Sequence, residues 1–139
     1  MERTFRIYAH ATVNSLTMKI YVAHSRSFDF EKELYEPIRQ SDLSKKHTFF
    51  FPHGGGEEVK TKDVIQNSDL LIAEVSSPAT GVGIELGWAD AFDIPIAAFY
   101  KEGSKIPGSV HHVTEQMLSY KNTGDLLVVL EQELKRRDI

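Results

Sequence analysis

A chain of 139 residues has room for one compact domain. Its 41% hydrophobic and 26% charged residues are the make-up of a folded globular protein and exclude intrinsic disorder. Cysteine is absent, which excludes a disulfide framework, a thiolate zinc site and a cysteine nucleophile, and a formal net charge of −4 gives no global drive toward nucleic acid or an anionic membrane.

Residues 1–17 stand outside the pattern that follows. Arg6-Ile7-Tyr8-Ala9-His10 echoes the next apolar run once, too little for a repeat. This segment is read as an N-terminal extension, with an extra edge strand or an oligomer arm as the alternative. The domain is expected over residues 18–139. A first strand covers 19–24, and a helix is expected over 29–40 with Phe30, Leu34 and Ile38 four apart on one face. Pro37 sits inside that helix and is an objection to its continuity. A short buried strand follows over 48–51, then the turn Gly54-Gly55-Gly56 and a helix over 59–67. Leu70 to Val75 is the clearest buried strand. A helix over 80–92, a strand over 94–100, a short strand over 117–120 and an amphipathic helix over 125–136 complete the chain.

The strands are near-continuous apolar runs, as a parallel sheet covered on both faces demands. Their alternation with helices gives right-handed crossover units. The expected fold is a single doubly wound α/β domain. Its five-stranded parallel sheet has the order 2-1-3-4-5, with helices on both faces. Ligands of such sheets sit beyond the carboxyl ends of the strands, between strands 1 and 3. Function is therefore sought at residues 24–28 and 76–85. No run of about 18 apolar residues is present, so no transmembrane helix is expected. The first residues lack the layout of a signal peptide, and the expected location is cytoplasmic.

After the third strand, glycines 81, 83 and 87 fall at or near a helix start, where each costs roughly 1 kcal/mol against alanine unless something must approach closely. Glu85 lies in or just after the first turn, where the helix dipole favours its ionised form. An ionised carboxylate at the ligand edge suits attack on a sugar carbon, and a solvated helix-end glutamate is the plainer alternative. The dinucleotide fingerprint GxGxxG is not met, because Gly87 comes one place late and the segment follows the third strand. No GxxxxGK[ST] phosphate loop exists, nor HxxxH or HExxH spacing for a metal.

The run from Ser68 to Gly87, SDLLIAEVSSPATGVGIELG, resembles the nucleoside 2-deoxyribosyltransferase superfamily, closest to its 2′-deoxynucleoside 5′-phosphate N-hydrolase branch. Lys19-Ile20-Tyr21-Val22-Ala23 is similar to that family's first strand, and the likeness spans roughly residues 18–136. The resemblance implies cleavage of an N-glycosidic bond: Glu85 attacks the anomeric carbon, the base leaves, and water or a second base resolves the ester. It implies that Tyr21 orients Glu85. It also implies that Ser109 reaches a neighbouring subunit's phosphate site, so a homodimer or larger homo-oligomer is expected.

Several positions depart from the family pattern. The loop His24-Ser25-Arg26-Ser27-Phe28 lacks the branch's glycines, although Arg26 is basic. Ala79 stands where a serine is expected. The branch's base-contacting acid falls on Thr61, with Asp63 close by but out of register. His24 and His53 end strands 1 and 2 and are candidate proton donors for a leaving base. Phe28 and Phe30 are candidates to line a base pocket, with core packing as the alternative. Trp88 is read as core or dimer packing. The binding set is thus His24, Ser25, Arg26, Phe28, His53, Asp63, Gly81, Gly83 and Ser109, around catalytic Glu85 and Tyr21. No cofactor or metal is expected, and the partner is a small-molecule nucleoside or nucleotide. Hydrolase and transferase are not separated by the sequence. The alternative from another class is a non-catalytic nucleotide-binding or sensing module on the same scaffold.

Overall fold

The computed structural model describes residues 17–55 and 59–137. The expected extension over residues 1–17 lies outside them except for Thr17, as does Gly56 of the glycine turn. Five parallel strands form one sheet in the order β2-β1-β3-β4-β5: β1 (Lys19–His24), β2 (Thr48–Phe50), β3 (Leu70–Glu74), β4 (Ile96–Lys101) and β5 (Met117–Tyr120). The expected topology holds. β4 starts two residues late because Pro95 has no N–H to give the ladder; its carbonyl instead accepts from Leu71.

Alternation along β1 divides the core. Ile20 and Val22 face one layer with Leu34, Ile38, Leu126 and Leu130. Tyr21 and Ala23 face the other, with Ile65, Val82 and Leu86. The helices of the first layer are α1 (Glu36–Gln40) and α5 (Thr123–Arg137); those of the second are α3 (Thr61–Gln66) and α4 (Thr80–Ala91). The helix expected over 29–40 is divided. A wide π-helical turn (Glu31–Tyr35) runs into α1, with the Glu36 N–H bonded to the Glu31 carbonyl. In a continuous α-helix the Pro37 ring would meet the carbonyl of Glu33, and the wide turn sits where that clash would arise. Leu34 and Ile38 still point inward, so the apolar stripe survives the change of winding.

A one-turn helix, α2 (Leu43–Lys46), was not foreseen; it is too short to show a period and is anchored by buried Leu43. α5 starts two residues earlier than expected. Asn122 accepts from the Asp125 N–H while Asp125 accepts from the Lys121 N–H, a reciprocal cap.

At the end of β3, buried Glu74 accepts from the Ser76 N–H at 2.8 Å, the Ser76 hydroxyl at 2.6 Å and the Tyr120 hydroxyl. Ser76 Oγ in turn accepts from the Lys101 N–H at 2.8 Å. These bonds pin the segment that leads into α4, whose first residue has no side-chain cap.

A Cβ added at Gly87 would meet nothing within 4 Å. Gly87 is exposed and lies inside α4. Gly87→Ala is therefore expected to raise unfolding free energy by about 0.5–1 kcal/mol. Denaturant melts of the two proteins check this, and a loss of stability contradicts the open surroundings of that position.

Candidate active site

The carboxyl edge of the sheet is where β1 and β3 part their connections, to opposite layers. Tyr21 is fully buried on the α4 side, its ring stacked on Phe50 with centroids 5.5 Å apart. Its hydroxyl donates to Glu85 Oε2 across 64 positions of sequence. Glu85 lies in the second turn of α4, half-buried. Burial pushes the Glu85 carboxyl above its ordinary value of 4.5, and the hydrogen bond from Tyr21 pulls it back in part. The helix-end stabilisation expected for this carboxylate does not prevail, because that field fades within the first turn. Burial and the neighbouring Glu85 push the Tyr21 phenol well up, while the Thr61 side chain works against them. Tyr21 is thus a fixed donor.

Glu85 opens onto a cavity of about 580 Å³, within the range of small-molecule sites. Five α4 residues line one wall, Gly81, Val82, Ile84, Glu85 and Trp88; all but Val82 have the spacing of a single helix face. Facing them are His24, Ser25 and Arg26 from the end of β1, Pro52 and His53 after β2, and Val59 and Thr61 at the start of α3. The cavity therefore has an apolar part at Val59, Ile84 and Trp88 and a polar part at Ser25, Arg26 and His53. Ser25 and Ser27 hydroxyls are bonded at 2.7 Å, and Ser25 Oγ accepts the Ser27 N–H at 3.0 Å, which closes the loop after β1 without the glycines of the family pattern.

Of the residues singled out by sequence, His24, Ser25, Arg26, His53, Gly81 and Glu85 come together here, with Tyr21 bonded to the floor. Four do not line this cavity. Asp63 sits two residues beyond Thr61, about 200° around the helix. It lines a separate hollow beside Lys19 and Asn67, at the far end of β1. Gly83 is turned away from Gly81 and Glu85 by the same rotation and is exposed. Phe28 packs edge-on against His24, with centroids 6.1 Å apart, and borders the core rather than the cavity. Ser109 lies in a 3₁₀ turn (Gly108–His112) after β4. Conversely, Trp88 lines the cavity instead of serving only as core packing. A Cβ at Gly81 would meet no protein atom within 4 Å, so the room there opens on the cavity.

His24 is committed to the fold. Its Nδ1 stands 2.8 Å from the Ser25 carbonyl, which can only accept, so Nδ1 carries the proton. Its Nε2 then accepts from the Tyr35 hydroxyl at 2.5 Å. Burial lowers its pKa, with smaller contributions from His53 and Arg26, against the bond to the Ser25 carbonyl, which raises it. The expectation that His24 donates a proton to a ligand is therefore corrected. His53 is exposed at the cavity; partial burial and the Arg26 charge lower its pKa too. Tyr35, which no sequence pattern singled out, joins the two: it also accepts the His53 N–H at 3.0 Å. Among the described residues, no cluster of His, Asp and Glu stands close enough to hold a metal ion, and no helix is long and apolar enough to cross a membrane.

No protein-family model matches the chain. A stretch of 45 residues is 51% identical to the "Putative 2'-deoxynucleoside 5'-phosphate N-hydrolase 1" of Syntrophotalea carbinolica, spanning 32% of this chain and 32% of that protein. Among solved structures, a conserved protein of Enterococcus faecalis V583 superposes with a TM-score of 0.64 at 20% identity, over 85% of this chain and 99% of the other. A CMP N-glycosidase of Clostridium botulinum gives 0.60 at 21% identity, over 81% and 98%. A 2-deoxyribosyltransferase of Bacillus psychrosaccharolyticus gives 0.54 at 18% identity, over 78% and 89%. At these identities the structural likeness is one of fold. The resemblance to the nucleoside 2-deoxyribosyltransferase superfamily thus stands at two levels, a stretch of sequence and the five-stranded fold.

Proposed function

We propose that this chain, similar in sequence and fold to the nucleoside 2-deoxyribosyltransferase superfamily, cleaves the N-glycosidic bond of a nucleoside or nucleoside 5′-monophosphate. The observation that carries the reading is the Tyr21–Glu85 pair, which presents a carboxylate to the cavity at the ligand edge of the sheet. A Glu85 oxygen attacks the anomeric carbon, and the carbon–nitrogen bond breaks with its electron pair going to the base. Water or a second base then attacks the same carbon and frees Glu85. Tyr21 holds the carboxyl in one orientation, so little geometric freedom is lost at the moment of attack. Arg26 and Ser25 suit a 5′-phosphate, and the Val59, Ile84 and Trp88 side suits the flat face of a base. Thr61 and Ala79 lack the family's acid and hydroxyl, so the choice of base rests on other contacts.

The test is a panel of nucleosides and 5′-monophosphates, with and without an acceptor base, read by chromatography of released bases. Release into water identifies a hydrolase, and release only with acceptor a transferase. Tight binding without release supports a nucleotide-binding module, the reading that Thr61 and the altered loop over residues 24–28 favour. No release and no binding overturns both.

We further propose that the working unit is a homodimer or larger, with Ser109 of one copy completing the cavity of the next. Val59 and Ile84 are 45% and 49% exposed at the cavity, so a glycosyl ester formed there by one copy alone stands open to water. A symmetric pair places each 3₁₀ turn at its partner's site. Light scattering at micromolar concentration is expected to give at least twice the mass of one chain; a monomer contradicts the shared site.

A further inference from the structure

Tyr35 lies on the α1 side of the sheet, opposite the face that carries Tyr21. It is fully buried, its ring 4.6 Å from that of Phe51 and 5.1 Å from that of Phe30. The Arg39 guanidinium lies over both the Tyr35 and the Phe51 rings, at 5.5 Å and 4.8 Å. Phenylalanine would fill this space equally well, so packing alone does not call for the hydroxyl. That hydroxyl has two bonds, and both end on cavity histidines: it donates to His24 Nε2 and accepts the His53 N–H. Burial pushes the phenol up to about 12, so the donated proton stays in place. A continuous line of hydrogen bonds thus runs from the Ser25 carbonyl through His24 and Tyr35 to the backbone of His53.

The loop bearing His53 is shaped around the same cluster. A Cβ at Gly54 would stand 2.7 Å from Arg39 Nη2 and 3.1 Å from the Phe51 Cβ, so a side chain here would push the Arg39 guanidinium aside and crowd Phe51. The His53 ring is flanked by His24 at 5.5 Å and Phe30 at 5.7 Å. Unlike His24, its nitrogens have no bond to another described residue. Among the described residues, the charged and titratable groups around it are His24 at the end of β1, Arg26 in the following loop, Tyr35 and Arg39 beneath the loop and Glu85 on the α4 wall.

We infer that Tyr35 is a positioning residue for proton transfer, holding His53 so that its imidazolium protonates the departing base. The inference rests on the glycosidase reading above. As the carbon–nitrogen bond breaks, the His53 proton passes to a ring nitrogen or oxygen of the base, and neutral His53 remains. In the second step water attacks the anomeric carbon, gives a proton to His53 and releases the Glu85 carboxylate. The proton count closes with no further reactant. His24 acts here as a neutral link, because both its nitrogens are already bonded.

The experiment compares 5′-monophosphates carrying an ordinary purine with ones carrying an N7-methylated purine, whose positive charge lets it leave without a proton. For the ordinary purine, His53→Ala is expected to lower kcat about 10²-fold or more. Tyr35→Phe is expected to lower it roughly ten-fold, with KM nearly unchanged, because misplacement of a proton donor leaves binding in place. In a single-turnover measurement, where the second step does not enter, either variant is expected to slow the first release of the N7-methylated base far less than that of the ordinary base, whereas Glu85→Ala abolishes both reactions. In the double variant the Tyr35→Phe loss disappears, since there is no donor left to position. Amide exchange of His53 is expected to quicken in Tyr35→Phe whatever the activity. Equal losses on the two bases, or unchanged kcat in either single variant, overturn this inference and leave the Glu85 reaction standing. A wild-type protein that releases neither base overturns the reaction itself and this role with it. Should Tyr35→Phe fail to fold, the leaving-group dependence of His53→Ala, at an exposed position, decides.

Discussion

Replacement of Glu85 by alanine is expected to abolish base release, by on the order of 10⁴-fold or more, since loss of a nucleophile removes the covalent path altogether. The fold is expected to survive. The Glu85 carboxyl is held above its ordinary value by burial, so the folded state binds its proton more tightly than the unfolded chain does. Its contribution to stability is present below pH 4.5 and is lost as pH rises through the higher folded value. At neutral pH the half-buried carboxylate is thus a burden that alanine removes. Circular dichroism and thermal melts, run beside the chromatographic assay, check the two halves together. Turnover near the wild-type rate in a folded Glu85→Ala protein sinks the assignment.

Removing the Tyr21 hydroxyl is also expected to cost activity, and to show it in the pH profile. A hydrogen bond to a charged acceptor contributes roughly 1.5–3 kcal/mol, so Tyr21→Phe should lower kcat/KM about 10- to 100-fold. The bond also lowers the Glu85 pKa, so its loss raises that value further. If Glu85 attacks as proposed, it must be ionised, and activity is expected to fall as pH drops through the Glu85 value, which lies above 4.5. If His53 donates as inferred, it must be protonated, and activity is expected to fall as pH rises through the His53 value, which lies below 6.5. The wild-type profile is therefore expected to be a narrow bell on the acid side of neutrality, its two limbs belonging to the pair as a whole. In Tyr21→Phe the acid limb moves up and the bell narrows. A rate loss with no movement of that limb would show that Tyr21 acts on something other than the carboxyl.

The sheet order was legible because the three central strands, β1, β3 and β4, are largely buried and read as nearly unbroken apolar runs bounded by polar loops. Helix positions were less so. The stripe Phe30, Leu34, Ile38 gave the face but not the winding, since Pro37 could end, kink or widen a helix and only packing decides among them. At the site, Tyr21 and Glu85 lie 64 positions apart, and no local rule joins them; the family resemblance did. Helical rotation by itself would have rejected Asp63 once Thr61 was placed at the wall, and Gly83 once Glu85 was. It would also have brought in Trp88, one turn past Glu85. Tyr35 had no such signal. Its position reads as one more aromatic in a buried helix, and its partners, His24 and the His53 backbone, are brought to it only by the tertiary fold.

The chain contains a second tyrosine–glutamate pair, Tyr120 and Glu74, at the same edge of the sheet and on the opposite layer. In chemical constitution the two pairs are identical. Glu74 accepts three hydrogen bonds that occupy both of its oxygens, whereas Glu85 accepts one, at Oε2, among the described residues. The lone pairs of Glu74 are saturated, and its electron density is spread among fixed protons, which makes it a poor donor toward carbon. Glu85 keeps an oxygen with no such claim on it. On the reading proposed above, that unclaimed oxygen is what suits Glu85 to attack carbon, and a further donor placed on it by mutation is expected to slow base release.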